Sequence, residues 1–295
     1  MENDFIQEAE NIAKTVGIPS QPKILVGINE EMSKPAPEFG RLLNLVSKDL
    51  GITAKLIKVA NSAYFGLGYE VDTIDKALSV LGLHNFNTIV VASALRDALM
   101  SSHLPQQQFD SFYSHSISVA KVSQLIAQKI NLPIIDSVFF NTSYMAGLFH
   151  DCGILLVAKR FPDYYDIVSS GLSEGSNISE IEEKNYRTNH CVVGSFVAKS
   201  WQLPNVVCEV IQHHHDLDIT GQSDEVVRKM LSVVMLAENI VYRCTQSTKN
   251  GYVDLYNSKI EDEALHSQLL SELNLTTEEL SEVEDVAEHI SNNMF

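Results

Sequence analysis

The chain has 295 residues, which suits one large domain or two ordinary ones and is long enough to bury a core without disulfides. Hydrophobic residues make up 45% and charged residues 20%, a balance that excludes bulk disorder. The 38 acidic residues outnumber the 21 basic ones, for a formal net charge of -17. We therefore expect no broad electrostatic binding to nucleic acid or to an anionic membrane.

The cysteines and the N-terminus favour a reduced, cytoplasmic compartment. The four cysteines are too far apart in sequence for a CxxC pair. The first residues, MENDFIQEAENIA, are acidic and lack the apolar segment of a signal peptide. No apolar run reaches the roughly 18 residues that cross a bilayer. We therefore expect a cytoplasmic protein without a membrane-spanning segment.

Helical periodicity dominates the first third of the chain, and no β-type alternation persists. An amphipathic helix is predicted over 1–18, and two further apolar stripes follow it. Thr73 can cap the next helix and Gly82 can end it, after which a longer apolar helix begins. These elements predict an N-terminal helical lobe over 1–105.

A second helical lobe is predicted over 106–245, so the chain as a whole is predicted to be an all-α, multi-helical bundle with two lobes. One apolar helix runs to His150, and another begins near residue 190. Ser179 with Glu182 three residues later is a capping-box pattern, which predicts a helix start between these two.

The last predicted part, 246–295, is an acidic helical extension. Residues 260–295 hold ten acidic residues and no lysine or arginine, which leaves about seven of the net negative charges to the rest of the chain. Thr276 and Glu279 form a second capping-box pattern before an amphipathic helix. We interpret this part as packed helix, with an acidic face that is either simply solvated or a docking surface.

Histidines beside acidic residues are the first candidates for metal ligands, because a metal needs several nitrogen and oxygen donors at one point. One such place is His150–Asp151, and the other is the run HHHD at 213–216. Separate predicted helices carry a series that a helical bundle can bring together: His115, His150, Asp151, His190, His213 and His214. A solvated turn at the triple histidine and a metal-free polar core remain the alternatives.

Five segments carry a family resemblance: 44–64, 74–91, 147–153 (GLFHDCG), 190–204 and 210–216 (VIQHHHD). They resemble the motifs of HDOD domains, which are similar to the HD and HD-GYP phosphohydrolases. The resemblance covers roughly residues 20–245. It implies an all-helical HDOD or HD-like bundle of the kind found in bacterial signalling proteins.

The resemblance also implies a site for divalent metal ions, commonly iron, manganese, magnesium or nickel, held by histidine and aspartate. Carried over position by position, the implied ligands are His115, His150, Asp151, His190, His213, His214 and Glu238. Glu238 stands where the superfamily has an aspartate. The segment LDITGQSDE follows the paired histidines in place of a GYP loop, which argues against cyclic dinucleotide hydrolysis of the HD-GYP kind.

Two functions are compatible with these residues. The first is a regulatory signal-transduction module that binds bacterial signalling proteins. The second is a metal-dependent phosphohydrolase, with His150 and Asp151 at its catalytic centre, acting on a nucleotide or other phosphorylated small molecule. Cys152 and Cys191 each follow a candidate ligand by one residue, and we interpret both as small buried core residues.

Overall fold

The computed structural model describes residues 2–18, 21–32, 34–61, 69–99, 106–131, 137–174, 176–216, 218–246 and 263–292. Within these residues the chain forms fifteen α-helices and no strand, which confirms the all-α prediction. Two compact units are present: a small unit, Pro19–Ser101, and a large unit, which combines Met1–Ile18 with Ser102–Phe295. The three-part organisation at 1–105, 106–245 and 246–295 stays a prediction.

The small unit contains α2 (Lys23–Met32), α3 (Phe39–Val46), α4 (Leu50–Ala60) and α5 (Ile74–Leu99). Asp49 caps α4 by accepting a hydrogen bond from the backbone N–H of Ile52. The Asn61 side chain closes the end of α4, since it accepts a bond from the N–H of Val71 and donates one to its carbonyl. Gly82 bends α5 with a φ of 72°, a conformation that glycine adopts without steric cost. The predicted break at Gly82 is thus confirmed.

The remaining eleven helices of the described residues belong to the large unit. They are α1 (Glu2–Ile12), α6 (Gln106–Lys129), α7 (Ser137–Phe149), α8 (Cys152–Arg160), α9 (Tyr164–Ser173), α10 (Ile178–Tyr186), α11 (His190–Ser200), α12 (Asn205–His213), α13 (Glu225–Gln246), α14 (Glu263–Leu273) and α15 (Thr277–Asn292). A π-helical turn, Ala13–Gly17, continues α1, so the first predicted helix is confirmed with a changed final turn.

Glycine at two positions allows helices of the large unit to touch through their backbones. A Cβ atom on Gly153 of α8 would lie 2.0 Å from the carbonyl oxygen of His190 and 2.7 Å from the nitrogen of Gly194, both on α11. On α7, a Cβ atom on Gly147 would lie 2.8 Å from the Cα atom of Ala120 on α6. The first contact brings the start of α8 close to the start of α11, and the second packs α7 closely against α6.

The capping box predicted at Ser179 and Glu182 is wrong. Asn177 caps α10, because its Oδ1 accepts a hydrogen bond of 2.8 Å from the N–H of Ser179. The carboxylate of Glu182 is buried and makes other contacts, which are described below.

The capping box at Thr276 and Glu279 is confirmed. The Oε2 of Glu279 accepts a 2.9 Å bond from the N–H of Thr276, and the Oγ1 of Thr276 accepts a 3.2 Å bond from the N–H of Glu279. This reciprocal pair satisfies two backbone donors at the start of α15.

No single helix of the described residues is long and apolar enough to cross a bilayer. The two halves of α5, Ile74–Leu83 and Asn85–Leu99, reach the length and hydropathy of a membrane span only when taken together, and they are bent by 105° relative to each other.

Candidate metal centre

Six of the seven predicted ligands meet inside the large unit. Each comes from a different helix or helix end: His115 from α6, His150 from the end of α7, Asp151 from the start of α8, His190 from the start of α11, His214 from the end of α12 and Glu238 from α13. All six side chains are buried.

The carboxylate of Asp151 lies at the middle of this cluster. Its Oδ1 is 3.3 Å from the Nε2 of His190 and 3.3 Å from the Nε2 of His214. Its Oδ2 is 3.0 Å from the Nε2 of His150 and 3.7 Å from the Nε2 of His115. The two oxygens of one side chain therefore face two separate sets of imidazoles.

The Nδ1 atoms of three histidines are held by fixed partners. The Nδ1 of His150 is 2.7 Å from the carbonyl oxygen of Gly147, and that of His214 is 2.8 Å from the carbonyl oxygen of Ile211. Because a carbonyl oxygen only accepts, each Nδ1 carries a proton, and a neutral ring then presents a lone pair at Nε2. Histidines that bind metals through one ring nitrogen commonly donate the N–H of the other to a carbonyl or carboxylate oxygen in this way.

His190 is oriented by Glu182, a residue whose sequence pattern had predicted a capping box. The Oε2 of Glu182 accepts bonds from the His190 backbone N–H at 2.9 Å and from Nδ1 at 2.7 Å. Its Oε1 accepts a 2.6 Å bond from the Tyr164 hydroxyl. No sequence motif marks this role, because it depends on how α9 and α10 pack beside the start of α11.

Burial and neighbouring charges set the protonation of the centre. Burial alone would raise the pKa of Asp151, but His150 and the hydrogen bonds from His190 and His214 hold it well below its usual range. Burial, assisted by repulsion from His150, lowers the pKa of His115 to about 3. Burial would raise the pKa of the Cys191 thiol, but His190 beside it lowers this pKa to about 7.

The donor atoms form two groups, and within each group all lie within 4.8 Å of one another. The first, called the carboxylate group below, comprises His115, His150, Asp151 and Glu238. The second, called the thiol group below, comprises His190, Cys191, His214 and His215. The Nε2 of His150 is buried and makes no hydrogen bond within the described residues, although Asp151 Oδ2 is 3.0 Å away. On a neutral His150 ring, the lone pair of Nε2 faces the Asp151 carboxylate without a proton between them. A bound metal ion would satisfy both atoms.

His213 lies outside both groups. Its Nδ1 is 2.7 Å from the Oδ2 of Asp216, its Nε2 is 3.7 Å from Glu209, and the side chain is half-buried. The third histidine of the run takes part instead, since the His215 ring lies 4.2 Å from that of His214 and 5.0 Å from that of His190. From the sequence alone, three consecutive histidines do not indicate which of them face the centre. The end of α12 at His213 decides which of them turn inwards.

Fold and site together define an all-helical protein with a buried His/Asp centre that could hold divalent metal. The HDOD domain model matches residues 18–217, and the chain therefore belongs to the HDOD domain family. This confirms the resemblance drawn from the sequence.

Solved structures share the fold at low sequence identity. An HDOD domain protein of unknown function from Geobacter sulfurreducens is 21% identical, with a TM-score of 0.72 over 98% of this chain and 99% of the other. A proposed signal transduction protein from Marinobacter aquaeolei VT8 is 19% identical, with a TM-score of 0.78 over 99% and 64%. A proposed metal-dependent phosphohydrolase from Shewanella amazonensis SB2B is 22% identical, with a TM-score of 0.61 over 100% and 99%.

Two proteins related in sequence are much longer than the region that they share with this chain. An uncharacterised protein from Treponema pallidum (strain Nichols) is 22% identical over 222 residues, which cover 75% of this chain and 41% of that protein. The uncharacterised protein YuxH from Bacillus subtilis (strain 168) is 22% identical over 126 residues, 39% of this chain and 30% of that protein. The chain thus spans less than half the length of either relative.

Proposed function

We propose that this HDOD protein is a cytoplasmic signal-transduction protein whose centre hydrolyses a phosphate ester or diester with two divalent metal ions. The substrate would be a nucleotide or another phosphorylated small molecule. The observation that carries the proposal is the position of Asp151, whose two oxygens each face a different set of imidazole Nε2 atoms. A carboxylate in this position can bridge two ions.

Paired divalent ions, when bound, polarise a phosphoryl oxygen and activate water for attack on phosphorus. The chain's own contribution is to hold the donors rigidly. Gly147 and Ile211 carbonyls fix the rings of His150 and His214, and Glu182 fixes His190. Burial keeps bulk water away and strengthens every charge interaction inside the centre. Iron, manganese, magnesium and nickel are the candidates for the carboxylate group.

A regulatory, partner-binding role is the second proposal, and the depth of the centre favours it. The exposed fraction is 0% for His150 and His190, 3% for Asp151 and 2% for Glu238. A catalytic metal keeps one coordination position open to substrate, whereas a closed site mainly stabilises the fold. In this role bacterial signalling proteins would bind elsewhere on the surface, and the centre would maintain the binding-competent structure.

One experiment separates the two proposals, and neighbouring histidines supply a matched pair of variants. His214→Ala removes a buried donor, while His213→Ala removes a half-buried histidine outside both groups. Protein purified without chelator is analysed for metals and screened for phosphatase and phosphodiesterase activity with added manganese. Under the first proposal, His214→Ala loses metal and at least about 100-fold in activity, and His213→Ala keeps both.

The outcomes point in different directions. Bound metal with no turnover in any assay would support the regulatory proposal over the enzymatic one. Wild-type protein without metal and without turnover would reject hydrolysis and indicate a polar core held by hydrogen bonds.

A further inference from the structure

The thiol group contains a donor that the proposed function does not use. Cys191 is 2% exposed, and its Sγ lies 3.4 Å from the Nε2 of His190. The hydroxyl of Ser179 lies 3.9 Å from the same sulfur. The sulfur therefore faces the imidazoles of the centre.

Cys152 provides a comparison within the same chain, because it also follows a candidate ligand by one residue. It is equally buried, but its Sγ lies 3.8 Å from the carbonyl oxygen of Gly194 and belongs to neither donor group. A cysteine that directly follows a candidate ligand in sequence is therefore not automatically placed among the donors. The position of the Cys191 sulfur follows from the first turn of α11, where His190 and Cys191 both turn towards the end of α12.

Four of the distances among the donor atoms of His190, His214, Cys191 and Asp151 match edges of one coordination tetrahedron. Bonds of about 2.0–2.1 Å to nitrogen and about 2.3 Å to sulfur, at tetrahedral angles, separate two nitrogens by about 3.4 Å and nitrogen from sulfur by about 3.6 Å. The Nε2 atoms of His190 and His214 are 3.4 Å apart, and His190 Nε2 is 3.4 Å from Cys191 Sγ. Asp151 Oδ1 is 3.3 Å from both nitrogens.

We infer that Cys191 is a metal ligand, and that the thiol group is a mixed thiolate and imidazole site which selects a thiophilic ion such as Zn²⁺. Thiolate ligands favour zinc over the harder ions that carboxylate ligands suit. The carboxylate group contains only nitrogen and oxygen donors, so the two ions joined by Asp151 would differ in kind. The inference rests on the metal binding in the proposed function and adds the identity of one ligand and one ion.

Cobalt substitution tests this inference without relying on activity. Co²⁺ bound by a thiolate gives a sulfur-to-metal charge-transfer band in the near ultraviolet, which nitrogen and oxygen ligands do not give. The full-length protein is loaded with Co²⁺, and the spectrum is recorded for wild type, Cys191→Ser and Cys152→Ser. We expect the band in wild type and in Cys152→Ser, and its loss in Cys191→Ser with Zn²⁺ affinity at least about tenfold weaker.

A second measurement needs no variant and so does not depend on how Cys191→Ser folds. Zinc X-ray absorption of the wild-type protein should show one sulfur neighbour at about 2.3 Å beside nitrogen and oxygen neighbours. Metal bound without a sulfur neighbour and without the cobalt band overturns the inference and leaves the proposed function standing. Persistence of the band in Cys191→Ser also overturns it. Failure to bind any metal overturns the inference and the proposed hydrolysis together.

Discussion

Protonation of single side chains decides what the centre can bind. Asp151 is buried yet ionised, because the imidazoles around it lower its pKa by more than burial raises it. His115 is buried and neutral, because no neighbouring charge outweighs its loss of hydration. Burial would lower the pKa values of His150, His190 and His214, but their neighbours raise them, so metal binding, which needs neutral imidazoles, would displace protons from these rings.

We expect the neutral state of His115 to make the metal-free protein lose stability in acid. The pKa of His115 is about 3 in the folded chain, against 6.5 for the free side chain. Below pH 6.5 the unfolded chain therefore binds a proton that the folded chain refuses until about pH 3, and the free energy of unfolding falls through this window. Between pH 7 and pH 5 this loss amounts to about 2 kcal/mol.

Urea unfolding in EDTA at pH 7 and pH 5 measures this effect. From pH 7 to pH 5, the free energy of unfolding of wild type should fall by about 2 kcal/mol more than that of His115→Gln. His213→Gln is a control of opposite sign, because a hydrogen bond to Asp216 raises the pKa of His213, and its contribution to stability is lost as the pH rises. Equal pH dependence in wild type and His115→Gln would contradict the prediction.

Helix packing sets the distances between the donors. The backbones of α8 and α11 touch at Gly153, and this contact holds Asp151 beside His190. Most of the helices themselves follow from periodicity and caps, as at Asn189, whose side chain caps α11 just before His190. The spacing of two packed helices depends on the smallest side chain between them.

Gly153→Ala should therefore destabilise the protein and weaken metal binding. The added methyl would stand 2.0 Å from the His190 carbonyl oxygen, so α8 and α11 must separate. We expect a loss of about 3 kcal/mol or more in the free energy of unfolding. Thermal unfolding and metal content measure the two effects.

Gly40→Ala in α3 is the matched control. A Cβ atom there meets nothing within 4 Å, and alanine is the better helix former by about 1 kcal/mol. This variant should be slightly more stable than wild type and bind metal normally. A Gly153→Ala protein as stable as Gly40→Ala would show that the close contact does not constrain the two helices.

Over the whole molecule, the net charge of -17 is distributed so that the acidic C-terminal helices meet basic partners. Within the part of the chain that the structure describes, four ion pairs join α14 and α15 to α6 and α13: Lys129–Glu282, Arg228–Glu272, Lys229–Glu272 and Arg243–Glu284. Buried leucines of α14 lie beneath these pairs. The described part of the acidic extension is therefore packed helix, as the sequence predicted.

Apolar contacts should outweigh the ion pairs in holding these helices. Leu269 of α14 is fully buried, so Leu269→Ala is expected to cost about 2–5 kcal/mol of unfolding free energy. Arg243 and Glu284 are both partly exposed, so Arg243→Gln is expected to cost less than about 1 kcal/mol, and less still in high salt. Chemical unfolding of both variants at low and high salt measures the difference, and the reverse ranking would refute it.

Sequence patterns were sufficient for the helices and for the break at Gly82, and together with the HDOD resemblance they pointed to Asp151 and to the five side chains around it. Helical periodicity, caps and glycine breaks act over a few residues, so the local sequence carries them. The HDOD resemblance supplied the order of the candidate ligands along the chain, and the match of the family model confirms the family.

Three features of the centre were decided only by tertiary structure: His215 in place of His213, Glu182 as the partner of His190, and Cys191 among the donors. Each depends on the direction of a side chain at a helix end or on a neighbouring helix. Successive residues of a helix project about 100° apart, so one residue of shift at the end of α12 exchanges an outward for an inward histidine. The sequence by itself therefore determined the helices and the types of candidate ligand, whereas the packing of α8, α11 and α12 determined which atoms converge.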